Sequence, residues 1–443
     1  MASSLFMQIM DSTIVTTALP KMSQELAVNS ATISLVVSVY LITMAIFIPL
    51  SGWIANRYGQ KAAWMIAVLL FTASSFTNSI APDFTSVLIS RFFQGVAASL
   101  MVPTSRLIVL QKAPADKLLE VTTYLIWPAL IAPSIAPVIG GLIVNYLSWR
   151  WIFVINIPIG IISILFGIKL IPKNQSHPES RFDLLGFIEI AIASGLVLIG
   201  AEIATHGQAK WGMAFGLVLA GIVIAIIAGF HLIHTDHPLF ALTALKTTSF
   251  RIFQTGGSFL WLSLGSLPYL LTIYLQTILH YSPIKASFYV IFIFIGNIIA
   301  KTFANQWVKR LHFKPAILMA VTIILISSFG FAFVTTTSTP AIVMGLGFIN
   351  GIGRSLALTA YNALSFADIG FAERTSANTL NSVTQTLSQG LGVSLITVVV
   401  SMISTITSIN LAYQLGFVFL AALMIYPLIE TAFVPNHIGD NAI

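Results

Sequence analysis

The sequence predicts an all-α polytopic membrane protein, and three observations carry that prediction. Hydrophobic residues make up 57% of the 443 residues, and charged residues make up only 8%. Soluble globular chains carry about 25% charged residues. Apolar runs recur from end to end, and each is long enough, at about 20 residues, to cross a hydrocarbon core.

Breaks at proline, glycine and charged residues divide the chain into predicted spans. The first run lacks a preceding basic segment and a small-residue cleavage site, so we expect a retained span and not a signal peptide. No connection is long enough for a soluble domain, and the longest is 235–252. The fourteen predicted spans lie near residues 2–20, 33–54, 62–81, 85–106, 121–144, 150–170, 184–204, 212–234, 253–276, 285–304, 315–334, 340–361, 378–402 and 412–433.

The distribution of Lys and Arg predicts that both termini lie in the cytoplasm, because cytoplasmic loops are enriched in these residues. Arg91 falls inside a span. With the amino terminus inside, four of the 21 basic residues lie outside the cell, namely Lys21, Arg150, Lys210 and Lys285. The other 16 are assigned to cytoplasmic loops and span ends: Arg57, Lys61, Arg106, Lys112, Lys117, Lys169, Lys173, Arg181, Lys246, Arg251, Lys301, Lys309, Arg310, Lys314, Arg354 and Arg374.

An internal repeat relates the two ends of the chain. "NRYGQKAAWM", from Asn56, resembles "KRLHFKPAIL", from Lys309, with an offset of 253 residues between Arg57 and Arg310. "QGVAASLMV", from Gln94, resembles "NGIGRSLAL", from Asn350, with an offset of 256. A duplicated helical half with a substrate site at the repeat interface is a transporter architecture. We therefore expect six-helix bundles at 1–172 and 250–434, with an inserted helix pair at 183–234.

Two charges lie inside predicted spans. Asp11 is about ten residues into the first span, which is about 15 Å along a helix. Arg91 lies about 9 Å below the outer edge of its span, close enough for a direct or water-mediated pair. Intramembrane charges are costly and normally face a partner or a cavity. A structural hydrogen bond or counter-ion is the alternative to proton coupling by Asp11 and Arg91.

Two further patterns concern helix contacts and helix shape. Gln94 and Gly95 lie one turn beyond Arg91, where a small residue permits close helix approach. The fifth span contains "PALIAPSIAPVIGG", with Pro133 and Pro137 on one face. Each proline removes a helix hydrogen bond, which predicts a kink or a flexing gate. Gly140 and Gly141 allow tight packing there.

Two weaker candidates lie in the predicted inserted pair. Glu189 and Glu202 are possible secondary acids. "HLIHTDH", from His231 to His237, has histidines at i, i+3 and i+6, which makes a metal site conceivable. An anchor at the membrane interface is the alternative for these histidines, and we predict no metal and no cofactor.

Several function classes lack their sequence signals. There is no cysteine, so neither disulfides nor thiol chemistry is expected. No phosphate-binding loop, H-E-x-x-H or G-x-S-x-G motif occurs, so neither ATP-driven transport nor an enzyme is predicted. The net charge of +7 is dispersed over loops and reflects membrane orientation, not a nucleic-acid partner.

Together these residues resemble the fourteen-span drug:proton antiporter branch of the major facilitator superfamily, over nearly the whole chain. The resemblance implies the major facilitator fold, proton exchange at Asp11 with Arg91, a conformational latch at Gly52, Asn56, Arg57, Gly59 and Lys61, and a gate in the fifth helix. The segments that carry it are "MDSTIVTTALP" around Asp11, "GWIANRYGQK" at 52–61, "RFFQGVAASLMVP" at 91–103, "APSIAPVIGG" at 132–141 and "SWRWIFVINIPIG" at 148–160.

The chain departs from that branch at four positions. Asn56 replaces the aspartate that is usual in the latch loop, and His312 replaces a glycine in the second-half loop. Ala132 and Ala136 replace glycines in the fifth helix. These changes imply a shifted balance between inward-facing and outward-facing states.

The resulting expectation is a proton-coupled secondary transporter of the inner or plasma membrane. It would export small amphipathic compounds as a monomer in the bilayer, by alternating access. One alternative is a dedicated exporter or importer of a metabolite such as a siderophore, a lipid or an amino-acid derivative. Another is a non-transporting membrane sensor.

Overall fold

The computed structural model describes residues 1–112, 117–172, 179, 181–205 and 207–442, and the regular elements in them are all helical. The amino-terminal half contains nine α-helices: α1 Ala2–Glu25, α2 Ser30–Ile33, α3 Leu35–Phe47, α4 Leu50–Tyr58, α5 Gln60–Ser79, α6 Phe84–Lys112, α7 Leu118–Tyr146, α8 Trp151–Val154 and α9 Asn156–Leu170.

A helical hairpin and the carboxy-terminal half follow. The hairpin consists of α10 Leu184–Ala204 and α11 Trp211–His234. The second half contains α12 Thr248–Gln254, α13 Gly256–Thr277, α14 Pro283–Leu311, α15 Phe313–Phe331, α16 Pro340–Ala367, α17 Arg374–Ser404, α18 Ile409–Ala422 and α19 Ile425–Ala432.

Within the described residues, eleven helices are long and apolar enough to cross a membrane, and the bent pair α3–α4 raises the number to twelve. The bend of 58° falls at Pro49, which precedes α4 and cannot donate a helix hydrogen bond. The two predicted spans outside that count coincide with α1 and α7. In α1, Asp11 and hydroxyl residues such as Thr13 and Thr17 lower the apolar character. A total of fourteen spans therefore stays a prediction.

The two halves repeat one set of helix pairs. In the first half α1 packs along α7, while α3 and α5 both pack on α6. In the second half α13 packs along α17, while α14 and α15 both pack on α16. The repeat read from two short sequence matches thus extends to the packing of the helices.

The polar contacts of the halves repeat as well. Gln94 on α6 donates to Ser75 on α5 over 3.0 Å, and Asn350 on α16 donates to Ser327 on α15 over 2.9 Å. Both pairs join helices buried in apolar surroundings, where an unpaired amide is costly. They fix the corresponding helices of each half in the same register.

The predicted cytoplasmic set of basic residues is wrong at Lys301 and Arg354. Both lie in helix interiors and are 2% and 3% exposed. Lys301 is ten residues from the end of α14 and Arg354 is thirteen from the end of α16, which is about 15 and 20 Å along the axis. Removing them leaves 14 cytoplasmic against 4 outer residues, so the predicted orientation keeps its support. Lys173 and the side chain of Lys112 are outside the described part of the chain.

Candidate functional site

The structure brings Asp11 and Arg91 into direct contact inside the amino-terminal half. Asp11 lies on α1 and Arg91 on α6. An Nη1 of Arg91 lies 2.6 Å from Oδ2 of Asp11, and both side chains are 0% exposed. Burying two charges is expensive, and the attraction repays that cost only when the remaining hydrogen-bonding capacity is also used.

Two amides use the other oxygen of the Asp11 carboxylate. Gln94 Nε2 donates to Oδ1 over 2.9 Å, and Asn156 Nδ2 donates to the same atom over 3.0 Å. Asn156 begins α9, so three elements of the half converge on this carboxylate. The arrangement gives Asp11 three donors in a site that water does not reach.

Arg91 has a similarly dense environment. Its Nη1 also donates to Oε1 of Gln94 over 2.7 Å, and its Nε donates to the carbonyl of Val36 over 2.9 Å. The guanidinium lies 4.3 Å from the ring centre of Tyr40, within the range of a cation–π interaction. Its Nη2 is buried and has no partner among the described residues.

Gln94 connects this ion pair to α5. Gln94 donates to Ser75 through Nε2, and its Oε1 accepts a hydrogen bond from Asn78 Nδ2 over 3.1 Å. If Asp11 took up a proton, it would lose the charge that balances Arg91, and the bonds that Gln94 shares with both would have to rearrange. The ion pair and its amides thus join α1, α5, α6 and α9 in one hydrogen-bonded cluster.

Gly95 places α6 against α3. A Cβ at this position would lie 2.7 Å from the carbonyl oxygen of Tyr40 and 2.9 Å from Cβ of Thr43. Real Cβ atoms do not approach backbone this closely, so only glycine fits without a shift. The close approach holds Tyr40 beside Arg91.

The structure shows what constrains four of the five residues of the latch segment. Gly59 joins α4 to α5 with φ +84°, a left-handed conformation that glycine adopts at no steric cost. Lys61 Nζ donates to the carbonyl of Ile168 over 2.6 Å, at the end of α9. Arg57 lies over the ring of Trp53 at 5.7 Å. Gly52 is packed so closely that a Cβ would collide with Thr379 Oγ1 of α17, in the other half.

Asn56, the fifth latch residue, is half-buried on α4. The described residues supply no hydrogen-bond partner for its side chain. The structure therefore places the tightest described contact of this segment with the second half at Gly52 and not at Asn56.

The second-half counterpart of the Gly59 turn is His312, with φ +65°. Its Nδ1 lies 3.0 Å from a carboxylate oxygen of Asp440, and Nδ1 of His437 lies 3.0 Å from the other. Partial burial acts to raise the pKa of Asp440, but the hydrogen bonds and charges of His312 and His437 outweigh it and hold that pKa below its usual range. The turn is thereby tied to the carboxy-terminal segment.

The proposed gate helix is continuous. α7 runs from Leu118 to Tyr146 through both prolines. Pro133 is half-buried, whereas the side chain of Pro137 lies outside the described residues. Gly140 faces α1, where a Cβ would lie 2.8 Å from Ile14, but Gly141 has nothing within 4 Å. Ala132 and Ala136 are fully buried against α1, together with Ile14.

The halves touch at the end of the bundle that carries the Gly59 turn and the end of α6, which we call the basic end. Gly52 contributes to this contact through α17. Hydrogen bonds between described residues of the two halves lie here, among them Arg106 Nη2 to Gln385 Oε1 over 3.2 Å, Asn378 Nδ2 to the Pro103 carbonyl over 2.9 Å, and Arg374 Nη1 to the Leu110 carbonyl over 2.5 Å. The structure therefore has its basic end closed.

Comparison with known families decides the class of protein. A sequence model of the Major Facilitator Superfamily matches residues 1–393. The chain belongs to the major facilitator superfamily. It is accordingly a multi-pass membrane transporter and not an enzyme.

Relatives within the superfamily cover most of the chain. A multidrug resistance protein MdtD from Pectobacterium carotovorum subsp. carotovorum (strain PC1) is 32% identical over 411 residues, which is 91% of this chain and 86% of that protein. The protein of the same name from Serratia proteamaculans (strain 568) is 30% identical over 452 residues, covering 99% and 93%.

Solved structures of the superfamily share the fold. The human organic anion transporter MFSD10 (TETRAN) superposes with a TM-score of 0.68 at 14% identity, covering 97% of both chains. The proton:xylose symporter XylE superposes with a TM-score of 0.69 at 15% identity, covering 99% of this chain and 95% of that one. At these identities the likeness concerns the fold alone.

Four residues in or next to the environment of the ion pair were not singled out from the sequence. Asn156 lies in a segment quoted for its resemblance, but nothing marked its amide as a ligand of Asp11. Ser75 and Asn78 carried no signal beyond being polar in an apolar run. Tyr40 is a buried aromatic residue like many others here.

The candidates in the α10–α11 hairpin take separate positions. Glu189 has a buried Oε2 without a partner among the described residues, and Glu202 lies 3.5 Å from the hydroxyl of Ser38. His231 Nε2 lies 3.0 Å from Asp183 Oδ1, an atom that also caps α10. The described residues contain no group of three ligands that could hold a metal ion.

Proposed function

We propose that this chain exports small amphipathic compounds across the cytoplasmic membrane in exchange for protons, with Asp11 as the group that carries the proton. The buried pair of Asp11 and Arg91, with a 2.6 Å contact and no exposure, is the observation that carries the proposal. Burial of a carboxylate inside a membrane protein is costly, and here an arginine and two amides offset that cost. The names of the relatives support drug compounds as the cargo.

The proposal includes fourteen spans, both termini in the cytoplasm and a single chain as the working unit. The predicted inserted pair is then α10–α11, between two halves of six spans each. Two halves within one chain supply both sides of a central site, so no second chain is needed. The basic end is then the cytoplasmic end, and its hydrogen bonds belong to the state closed towards the cytoplasm.

Transport follows from the different partners of Asp11 in its two protonation states. A proton entering from outside neutralises Asp11 and releases it from Arg91, which loosens α1 from α6. The halves then separate at the basic end, where Gly52 and its neighbours form the latch and α7 the gate. Coupling requires that proton and cargo favour opposite states of this equilibrium.

Proton exchange can be tested in everted membrane vesicles with an acidic interior and a pH-sensitive dye. Addition of a transported compound is expected to release protons from vesicles that contain the wild-type chain. Asp11→Asn should abolish this release, because its amide cannot take up a proton. Asp236→Asn is the matched control, since it makes the same chemical change at an exposed loop position, and it should behave as wild type.

Proton release that persists in a folded Asp11→Asn protein would refute Asp11 as the proton carrier. Absence of proton release with wild type across cationic, neutral and anionic compounds would refute drug–proton exchange itself.

A further inference from the structure

The carboxy-terminal half buries two cations in its interior. Lys301 lies on α14 and Arg354 on α16, at 2% and 3% exposure. Lys301 reaches α16, where its Nζ donates to Thr359 Oγ1 over 2.6 Å. Arg354 reaches α13, where its Nη2 donates to the carbonyls of Ser263 and Leu264 over 3.1 and 2.5 Å.

No carboxylate of the second half is placed to balance these charges. Between Asp236 and Asp368 the sequence contains no Asp or Glu, and α17 contains none either. The acidic residue of α19 is Glu430, which accepts hydrogen bonds from Thr255 and from the backbone of Gly256. Among the described residues, the hydrogen-bond partners of Lys301 and Arg354 are neutral oxygens.

Polar atoms beside the two cations are also left without partners. Within the described residues these are Oδ1 of Asn297, Oγ of Ser355 and Oγ of Ser263. Asn297 is one turn from Lys301 on α14, and Ser355 follows Arg354 directly. The hydroxyl of Thr359 donates to the Ser355 carbonyl over 2.7 Å. Buried polar groups without a hydrogen-bond partner are uncommon in folded proteins. A ligand that binds beside Lys301 and Arg354 would supply the missing partners.

The two cations are held within about two turns of each other along α16, a helix that also contacts the first half. Arg354 and Thr359, the partner of Lys301, are five residues apart on α16, which is about 7.5 Å along the helix. α14 and α16 both pack against α7 of the first half. Separation of the halves would therefore move the helices that carry Lys301 and Arg354 away from α7.

A buried positive charge is stabilised most by a negative charge that enters with it. Arginine offers a planar fork that matches a carboxylate or sulfonate, and lysine adds a point charge from the neighbouring helix. We propose that Lys301 and Arg354 form a binding subsite for the anionic group of an amphipathic compound. The cargo class then includes organic anions, an extension that rests on the proposed export function.

Two dyes with one xanthene skeleton test the charge preference: fluorescein, an anion, and rhodamine 6G, a cation. Binding is measured by equilibrium dialysis of the purified full chain in detergent against protein-free micelles. Lys301→Met and Arg354→Gln should each weaken fluorescein binding at least about tenfold, as expected for loss of a charge-assisted hydrogen bond. Binding of rhodamine 6G should change less than about twofold.

Two matched variants separate the site from general effects. Lys309→Gln removes an exposed cation of the same helix and should leave fluorescein binding unchanged. Lys301→Arg keeps the charge and should retain binding. A measurement on wild type alone covers the case of a variant that fails to fold: benzenesulfonate should displace fluorescein, and uncharged benzenesulfonamide should not.

The anion subsite is overturned if wild type does not bind fluorescein, if both variants bind it normally, or if both dyes are lost together from folded variants. Export and the subsite fail separately. Cation-dependent fluorescein binding without movement of either dye in vesicles refutes export and supports the subsite. Export of rhodamine 6G that depends on Asp11, without fluorescein binding, supports export and refutes the anion subsite.

Discussion

The two halves of this transporter share a scaffold but treat buried charge in opposite ways. In the first half, Arg91 meets Asp11 at 2.6 Å, and Gln94 and Asn156 complete the carboxylate. In the second half, Lys301 and Arg354 donate to hydroxyl and carbonyl oxygens, with no carboxylate partner in the part of the chain that the structure describes. The Asp11–Arg91 pair is balanced within the first half, whereas Lys301 and Arg354 have no carboxylate partner among the described residues. Duplication of a helix framework therefore does not duplicate its chemistry.

The largest expected difference between the halves is in the response to removing a cation. Arg91→Met leaves Asp11 buried without its counter-ion, which should cost about 3–5 kcal/mol. Lys301→Met removes a charge that has no counter-ion to strand, so its thermal midpoint should equal or exceed that of wild type. Thermal unfolding of the purified proteins in detergent measures both.

A loss of stability in Lys301→Met as large as in Arg91→Met would break the comparison. It would mean that Lys301 is balanced by the fold itself, as Arg91 is.

The next effect concerns the close helix approaches that both halves share. Gly95→Ala forces α6 against the carbonyl of Tyr40, and Gly351→Ala forces α16 against the carbonyl of Ile293 on α14. Each should cost about 1–3 kcal/mol, the usual range for overpacking. Gly141→Ala is the control, because nothing lies within 4 Å of a Cβ there. Thermal midpoints of the three variants provide the measurement.

Equal effects at Gly95 and Gly351 would sharpen the view that the scaffold is duplicated. Tolerance at either position, with a midpoint like that of Gly141→Ala, would show that the two contacts are not equivalent.

The smallest effect on stability is expected from giving the second half the carboxylate it lacks. Thr359→Asp places an acid beside Lys301 and should stabilise the fold by about 1 kcal/mol, the net value of one added hydrogen bond. The same change should abolish fluorescein binding, because the charge of Lys301 is then satisfied from within. Thermal unfolding and equilibrium dialysis report the two effects, with Thr359→Asn as the uncharged control.

Anion binding that survives in Thr359→Asp, but is lost in Lys301→Met, would contradict the role of charge balance. Anion binding lost equally in Thr359→Asn would assign the effect to shape.

The sequence revealed most of the fold because long apolar runs have few alternatives. It also located Asp11 and Arg91, since a charge within such a run stands out. Asn156, Ser75 and Asn78 could not be found in this way, because neutral polar residues are common in transporter helices and carry no positional signal. Lys301 and Arg354 were misplaced for a different reason. A charged residue usually marks the end of an apolar run, which predicts both at span ends, whereas here both lie inside a helix.

The α10–α11 hairpin has a mechanical consequence for such a two-part machine. α10 lies on α3 of one half, where Ile46 meets Gly195, and on α17 of the other, where Leu198 meets Gly390. Because glycine has no side chain, neither contact interlocks side chains from both helices. In the proposed rocking motion, α10 can therefore shift along both halves. α11 faces mostly outward, and only a small part of its apolar stretch is buried within the protein. If the halves rock as proposed, each cycle moves the two helices of the hairpin through the surrounding lipid. In the proposed cycle, the viscosity and thickness of the bilayer would then slow turnover through a part of the chain that lies outside the Asp11–Arg91 cluster.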